Sequence, residues 1–120
     1  MIVTFICLLV DYIGEPLGGP FVLRVPEALY LAEVAEAIKT EITDIQVPAY
    51  RIDLWKPVPP LSASPLGLSG RVKALHLNVT GNNTEAVLLG HASLVGNEFP
   101  PHLPLLAKHI NIIAQLPSSQ

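Results

Sequence analysis

The chain has 120 residues, half of them hydrophobic, and a formal net charge of −3 from seven basic and ten acidic side chains. This length fits one domain with a single core, and the apolar fraction is too high for a disordered chain. The basic residues are scattered, which argues against nucleic-acid binding, because that function needs a clustered cationic surface. The single cysteine, Cys7, excludes an internal disulfide and a cysteine-rich zinc site.

The first part of the chain predicts two strands and a helix. Residues 2 to 10 are continuously apolar and predict a central strand that contains Cys7 as a buried, unreactive thiol. Glycines and prolines between residues 11 and 20 predict a chain reversal, and residues 21 to 25 then return as the second strand of a hairpin. From about residue 27 to residue 42 the apolar positions recur at helical spacing, so we expect an amphipathic helix with a solvated charged side.

A third strand follows at residues 50 to 56. Its alternation puts Ile52 and Leu54 on one face and Arg51, Asp53 and Trp55 on the other. Prolines end this strand because they cannot donate to a ladder. The only tryptophan, Trp55, is interpreted either as a strand aromatic covered by neighbouring loops or as an exposed binding anchor.

The remaining residues predict shorter elements. We expect a loop at residues 61 to 70, a fourth strand at 72 to 79, a turn at 81 to 83 and an apolar run of undecided type at 86 to 89. An irregular proline-rich connection at residues 99 to 104 precedes a last strand at 109 to 116. In that strand Ile110 and Ile112 are expected on one face, and Asn111, Ile113 and Gln115 on the other.

The order of strand, strand, helix, strand, irregular section and closing strand is that of an α+β β-grasp domain. One main helix then packs across a mixed sheet whose first and last strands are central neighbours. The two most apolar strand candidates of this chain are its first and its last, as a sheet centre requires.

No catalytic constellation stands out from the residues. The four histidines do not occur at helical i, i+4 spacing, and no pair of carboxylates is marked by its spacing. Phosphate-binding glycine loops and a nucleophile elbow are both missing from the sequence. We therefore expect a protein that is not an enzyme and that carries no cofactor and no metal.

Taken together, the segments resemble the N-terminal header domain of the Crinkler effector family of oomycetes and fungi, which has a ubiquitin-like β-grasp fold. The resemblance runs in order through residues 5–10, 21–25, 31–39, 52–56 and 109–113. Residues 31–39 resemble the helix of the family, whose pattern closes with Ile-Lys. The element that corresponds to the family's LxLFLAK or LxLWK motif consists of Ile52, Asp53, Leu54, Trp55 and Lys56.

The resemblance implies a single ubiquitin-like domain over residues 1–117, with 118–120 as a frayed end or the start of a linker to an effector domain. It implies a non-enzymatic module of a secreted effector that is delivered into host cells and often acts in the nucleus. The apolar residues 2–10 are not a clear signal peptide, because no basic residue precedes them and no cleavage pattern follows them. No membrane span is expected either, since the segment is too short.

A ubiquitin-type role is not implied. The chain ends without a diglycine, and Asp53 would fall near the isoleucine of ubiquitin's binding patch. A charge at that position disfavours receptors that recognise an apolar patch. The expected partner is a protein, either a host protein or the effector domain itself, and a homodimer stays open. The alternative is an intracellular interaction or regulatory adaptor that docks a neighbouring effector domain.

Overall fold

The computed structural model describes residues 2–42, 45–57, 61–62, 64, 67–73, 75, 86–99 and 108–117. These residues form an α+β arrangement around a five-stranded mixed sheet. Within them, no helix is long and apolar enough to cross a membrane. The elements are β1 (Ile2–Val10), β2 (Phe21–Pro26), α1 (Leu31–Glu41), a 3₁₀ turn (Ala49–Arg51), β3 (Asp53–Pro57), β4 (Leu61–Ser62), α2 (Leu68–Lys73), β5 (Ala86–Leu89), α3 (Val95–Glu98), β6 (His109–Ile110) and β7 (Ile112–Gln115).

The main sheet has the strand order β2-β1-β7-β3-β5. The first and last strands are parallel central neighbours, as predicted, with Cys7 opposite Ile112 and Val10 opposite Gln115. All other pairs in this sheet are antiparallel. Where β1 and β7 pair with each other, all residues except Gln115 are apolar, because both faces of the sheet are covered there.

The predicted hairpin is confirmed, and its turn is organised by Asp11. The carboxylate oxygen Oδ1 of Asp11 accepts hydrogen bonds from the backbone N–H groups of Ile13 and Glu15. The N–H of Leu17 then donates to the carbonyl oxygen of Leu9 at 2.9 Å, which brings the returning chain beside β1. An aspartate that binds the backbone two residues on is a common way to start a reversal.

The helix α1 starts at Leu31, later than the predicted start at about Glu27. The carboxylate of Glu33 accepts a hydrogen bond from the N–H of Tyr30 at 3.2 Å, and this contact fixes the first turn. The extended conformation of Tyr30 ends the preceding turn, so residues before it are not helical. The apolar periodicity of the sequence continues into that turn, which is why it predicts too early a start.

A loop from the other end of the chain caps α1. The N–H of Leu31 donates to the carbonyl oxygen of Ser93 at 2.8 Å, and the N–H of Ala32 donates to that of His91 at 3.0 Å. The first N–H groups of a helix have no partner inside the helix and need one from elsewhere. These backbone carbonyls explain why the sequence contains no capping Ser, Thr, Asp or Asn.

Two apolar clusters lie on opposite faces of the sheet. The first, the α1 face, joins α1 and α3 to alternate sheet residues, among them Val3, Phe5, Cys7, Leu9, Leu23, Val25, Leu54, Ile112 and Ala114. The second, the α2 face, joins Leu68, Val72 and Leu75 of α2 and its end to residues of the strands, namely Leu8, Val10, Trp55, Ala86, Ile110 and Ile113.

The predicted last strand is interrupted at Asn111, which separates β6 from β7. The N–H of Asn111 donates to the carbonyl oxygen of Ile6 at 2.8 Å, and the side-chain oxygen Oδ1 accepts from the N–H of Ile6 at 2.9 Å. Because this side chain takes the place of a backbone acceptor, the strand alternation shifts by one residue. The prediction that Ile110 and Ile112 share a face is therefore wrong: Ile110 packs with Ile113 on the α2 face, and Ile112 packs on the α1 face.

Other boundaries also differ from the prediction. The third strand starts at Asp53 because residues 49–51 form a 3₁₀ turn, and the predicted loop at residues 61–70 contains β4 and the start of α2. The predicted strand at 72–79 is wrong at its start, since Val72 lies in α2. Residues 76–79, the turn at 81–83, the connection at 100–104 and the end at 118–120 lie outside the described residues. The undecided run at 86–89 is strand β5.

Candidate interaction site around Trp55

The five residues of the candidate motif lie in and just before β3, which pairs with β7 on one side and β5 on the other. The predicted alternation is confirmed for Ile52, Leu54 and Trp55, whereas Arg51 lies in the 3₁₀ turn before the strand. Ile52 and Leu54 are fully buried on the α1 face, and Trp55 is buried on the α2 face. Asp53 is exposed at the start of the strand. The motif residues therefore contribute to both apolar clusters, and only Asp53 among them is exposed.

Trp55 is 9% exposed, so the interpretation as a covered strand aromatic is confirmed. Its indole Nε1–H donates to the side-chain oxygen Oε1 of Gln115 at 3.0 Å. The amide Nε2 of Gln115 in turn donates to the carbonyl oxygen of Tyr12 at 3.1 Å. A buried indole N–H needs such an acceptor. The chain Trp55, Gln115, Tyr12 thus joins β3, β7 and the hairpin turn.

The cover over Trp55 is α2, which is attached to the hairpin by polar contacts. The ammonium of Lys73 lies 2.6 Å from a carboxylate oxygen of Glu15. The hydroxyl of Ser69 donates to the same carboxylate at 3.2 Å. Hydrogen bonds from Lys73 and then from Ser69 hold the pKa of Glu15 below its ordinary value. Both partners are largely exposed, so this ion pair contributes little to stability in water.

Lys56 is not a freely exposed cation. Its ammonium Nζ donates to the backbone carbonyl oxygen of Glu98 at 2.7 Å, at the C-terminal end of α3. The same nitrogen lies 4.9 Å from the ring centroid of Phe99, which packs edge to face against Phe5. A cation near the last carbonyls of a helix is favoured by the dipoles of those groups. The motif lysine therefore attaches α3 to β3.

Asp53 differs from the rest of the motif because its carboxylate is exposed beside Arg51 and Tyr50, which are exposed as well. Of the three motif residues Asp53, Trp55 and Lys56, Asp53 is exposed, Lys56 is half-buried and Trp55 is buried. Trp55 and Lys56 bind elsewhere in the same domain. The five motif residues are thus close in the chain, but they do not form one exposed patch.

The titratable groups show no reactive centre among the described residues. Cys7 is fully buried, as predicted, and burial raises the pKa of its thiol to about 12. The ring Nε2 of His91 lies 2.9 Å from the carbonyl oxygen of Ile52, where it connects the 90–95 loop to β3. No three His, Cys, Asp or Glu side chains lie close enough together in the described part of the chain to hold a metal ion.

Three features of this site were missed in the sequence. The first is α2, whose apolar residues Leu68, Val72 and Leu75 recur at spacings of four and three, as in a helix. The second is Gln115, a lone amide in an apolar strand that supplies the acceptor for Trp55. The third is Glu15, whose contacts with α2 no local pattern predicts, because they join residues more than fifty positions apart.

Comparison with protein-family models, with curated proteins and with solved structures finds no match to this chain. The fold and the contacts described above are therefore the basis for the functional argument.

Proposed function

We propose that this chain is a ubiquitin-like β-grasp header domain of the Crinkler type and that it has no catalytic role. The support is the order of elements along the chain together with the sheet order β2-β1-β7-β3-β5, in which β1 and β7 are parallel neighbours. The main helix packs on one face of that sheet. The motif-like residues 52–56 lie at β3, the strand that binds both β7 and β5.

The proposed role is delivery of an attached effector into host cells and on to the host nucleus. The single observation that carries the proposal is the position of the motif in the fold. Trp55 and Lys56 bind Gln115 and Glu98, so their side chains support the domain instead of forming a linear signal. We therefore expect delivery to require the folded domain. Substitutions of Trp55 or Lys56 that unfold the domain should abolish delivery.

A reporter fusion tests this role. Residues 1–120 are fused to a fluorescent reporter, and uptake by host cells is followed for the unmodified fusion and for Trp55→Ala and Lys56→Ala. Tyr50→Ala is the matched control, because Tyr50 is an aromatic residue close to the motif that is 74% exposed. Uptake should be retained in the control and reduced in both motif variants. Lack of uptake by the unmodified fusion would exclude the delivery role.

The second candidate is an intracellular adaptor that docks a neighbouring effector domain. Apolar side chains on the edge strand β5 favour it, since Val87 is 47% exposed and Leu88 is 55% exposed. Adjacent exposed apolar residues on an edge strand are a common site for protein contacts. Capture of a Crinkler-type effector domain by this chain, lost in Leu88→Lys and accompanied by no uptake, would support the adaptor over the delivery role.

A further inference from the structure

The free edge of β2 has a defined set of backbone groups. On β1, the backbone N–H and carbonyl of Ile6 bind Asn111, and the carbonyl of Val10 accepts from the N–H of Leu116. The backbone groups of these even-numbered residues therefore point to the β7 side. The carbonyl of Leu9 instead accepts from the hairpin side. Because the direction of these groups alternates along a strand, the odd-numbered residues of β1 are the ones that bind β2.

The register then identifies the groups that face outward. Phe21, Leu23 and Val25 are opposite odd-numbered residues of β1, so their backbone groups bind β1. The N–H and carbonyl groups of Val22 and Arg24 therefore point away from the sheet. No other strand of the described chain pairs with this edge. An unpaired edge of this kind is a template for an added strand.

The side chain of Val22 lines a cavity, and Arg24 follows two residues later on the same face of β2. Leu23 and Val25 are buried on the α1 face, so the alternate residues of β2 project to the opposite face. Helix α2 does not cover that part of the sheet, and Val22 is 54% exposed. A cavity of about 500 Å³ opens there, lined by Ile6, Pro20, Phe21, Val22, Ser62, Ser64 and Lys108. Its size is that of a pocket for a side chain or a small ligand.

The charge around the cavity is positive. Lys108 lines one wall, and its backbone has a φ of +59°, which is unusual for a residue with a side chain. Arg24 is exposed two residues after Val22 on the same face of β2. Among the described lining residues there is no carboxylate. An apolar cavity lined by one cation, with a second cation further along the same face of β2, is complementary to a partner that carries both an apolar and an acidic group.

We propose that the edge of β2 binds an extended peptide with an apolar and an acidic side chain two residues apart. In an added strand, the residues opposite Val22 and Arg24 project to the same face and are two positions apart. The apolar side chain enters the cavity and the carboxylate pairs with Arg24. Pairing ends at Pro26, which has no N–H to donate. This inference does not rest on the proposed header function.

The other edge of the sheet provides an internal comparison. Strand β5 contains Ala86, Val87, Leu88 and Leu89 and no charged residue. An added strand there would meet apolar side chains only, so it would not select an acidic residue. Selectivity for a carboxylate thus distinguishes binding at β2 from non-specific pairing with any free edge.

The test selects peptides from a random twelve-residue library displayed on phage, with the full 120-residue chain as bait. The most enriched sequence is then synthesised, and its affinity is measured by isothermal titration calorimetry. We expect enriched sequences to carry an apolar residue and Asp or Glu two positions apart. Val22→Pro, which removes an outward N–H, should weaken binding at least about tenfold, and Arg24→Glu should do the same.

Two controls make the result decisive. Replacing the acidic residue of the peptide by lysine should restore binding to Arg24→Glu and weaken binding to the unmodified chain. Leu88→Lys on the opposite edge should leave the affinity unchanged. Circular dichroism verifies that each variant is folded. The proposal would be overturned if no peptide is enriched or if the enriched peptides lack the spaced pattern. It would also be overturned if the acidic peptide binds the folded Arg24→Glu variant as tightly as the unmodified chain.

Discussion

The two faces of the sheet are covered in different ways. On the α1 face, an eleven-residue helix buries Leu31, Val34, Ala35 and Ile38. On the α2 face, a six-residue helix buries Leu68 and Val72, and part of β1 and β2 beside it stays open. The same sheet therefore has one face covered by a long helix and one face covered only in part by a short helix.

The difference lies in where each helix obtains its stability. The residues of α1 are mostly good helix formers, and backbone carbonyls of the 90–95 loop complete its first turn. The helix α2 is too short to be stable alone and has Ser69 and Gly70 in its interior. It depends on packing against Trp55 and on the contacts of Glu15. We infer that α1 defines the fold and that α2 is its more easily displaced part.

The largest expected loss of stability follows from a substitution on the α1 face. Phe5 is fully buried and packs against Phe99, with ring centroids 4.7 Å apart. Phe5→Ala should lower the free energy of unfolding by about 3–5 kcal/mol, because it leaves a cavity at a fully buried position. Urea unfolding followed by circular dichroism measures this. Tyr50→Ala is the control, with an expected change within about 0.5 kcal/mol. A loss at Phe5 below about 1 kcal/mol would contradict the comparison of the two faces.

The corresponding change on the α2 face should cost less. Leu68→Ala removes a buried side chain, but the short helix can move to fill the space. We expect a loss of about 2 kcal/mol, at the low end for leucine truncations. The emission of Trp55, the only tryptophan, should shift to the red in the folded protein as water reaches the indole. An unchanged emission spectrum would show that α2 does not control access to Trp55.

The hydrogen bond between Trp55 and Gln115 predicts a coupled effect. Gln115→Leu leaves the buried indole N–H without its acceptor and should cost about 1–3 kcal/mol. Trp55→Phe removes the donor, so the double variant should lose less than the sum of the two single variants. Thermal unfolding of all four proteins gives the coupling energy. Strict additivity would mean that the bond contributes nothing.

The smallest expected effect concerns the attachment of α2 to the hairpin. Because the pKa of Glu15 in the folded state lies below its ordinary value of 4.5, the charged form is the one that stabilises the fold. This contribution is present near neutral pH and is lost as the pH falls below that ordinary value. Glu15→Gln should therefore be slightly less stable than the unmodified chain near neutral pH.

The pH series supplies its own control. The stability difference between the unmodified chain and Glu15→Gln should shrink as the solution is acidified and should also shrink in high salt, since both partners are exposed. A difference that is constant from neutral to acidic pH would assign the effect to packing instead of charge. Urea midpoints across the series measure it.

The sequence predicted what depends on local periodicity. The strands β1, β2 and β3, the helix α1 and the central pairing of the first and last strands follow from apolar patterns. Helix α2 was missed because Val72 and the residues after it also fit a loose alternation. The shift at Asn111 was missed because it depends on a residue far away in the sequence. The side chain of Asn111, instead of a backbone carbonyl, accepts the hydrogen bond from the N–H of Ile6. The strand that contains Leu54, Trp55 and Lys56 was predicted, but the cover of Trp55 by α2 and the bond of Lys56 to Glu98 were not, because these partners lie far away in the sequence.

The buried Cys7 provides a kinetic probe of the α1 face. Its thiol is fully covered at the centre of β1, and a thiol with a pKa of about 12 is almost entirely uncharged near neutral pH. A thiol-modifying reagent can thus react only while β1 is separated from its cover. The labelling rate of Cys7 reports how often the α1 face opens, whereas the emission of Trp55 reports opening of the α2 face. Cys7 and Trp55 therefore allow the opening of the two faces of the sheet to be measured separately, without any added probe site.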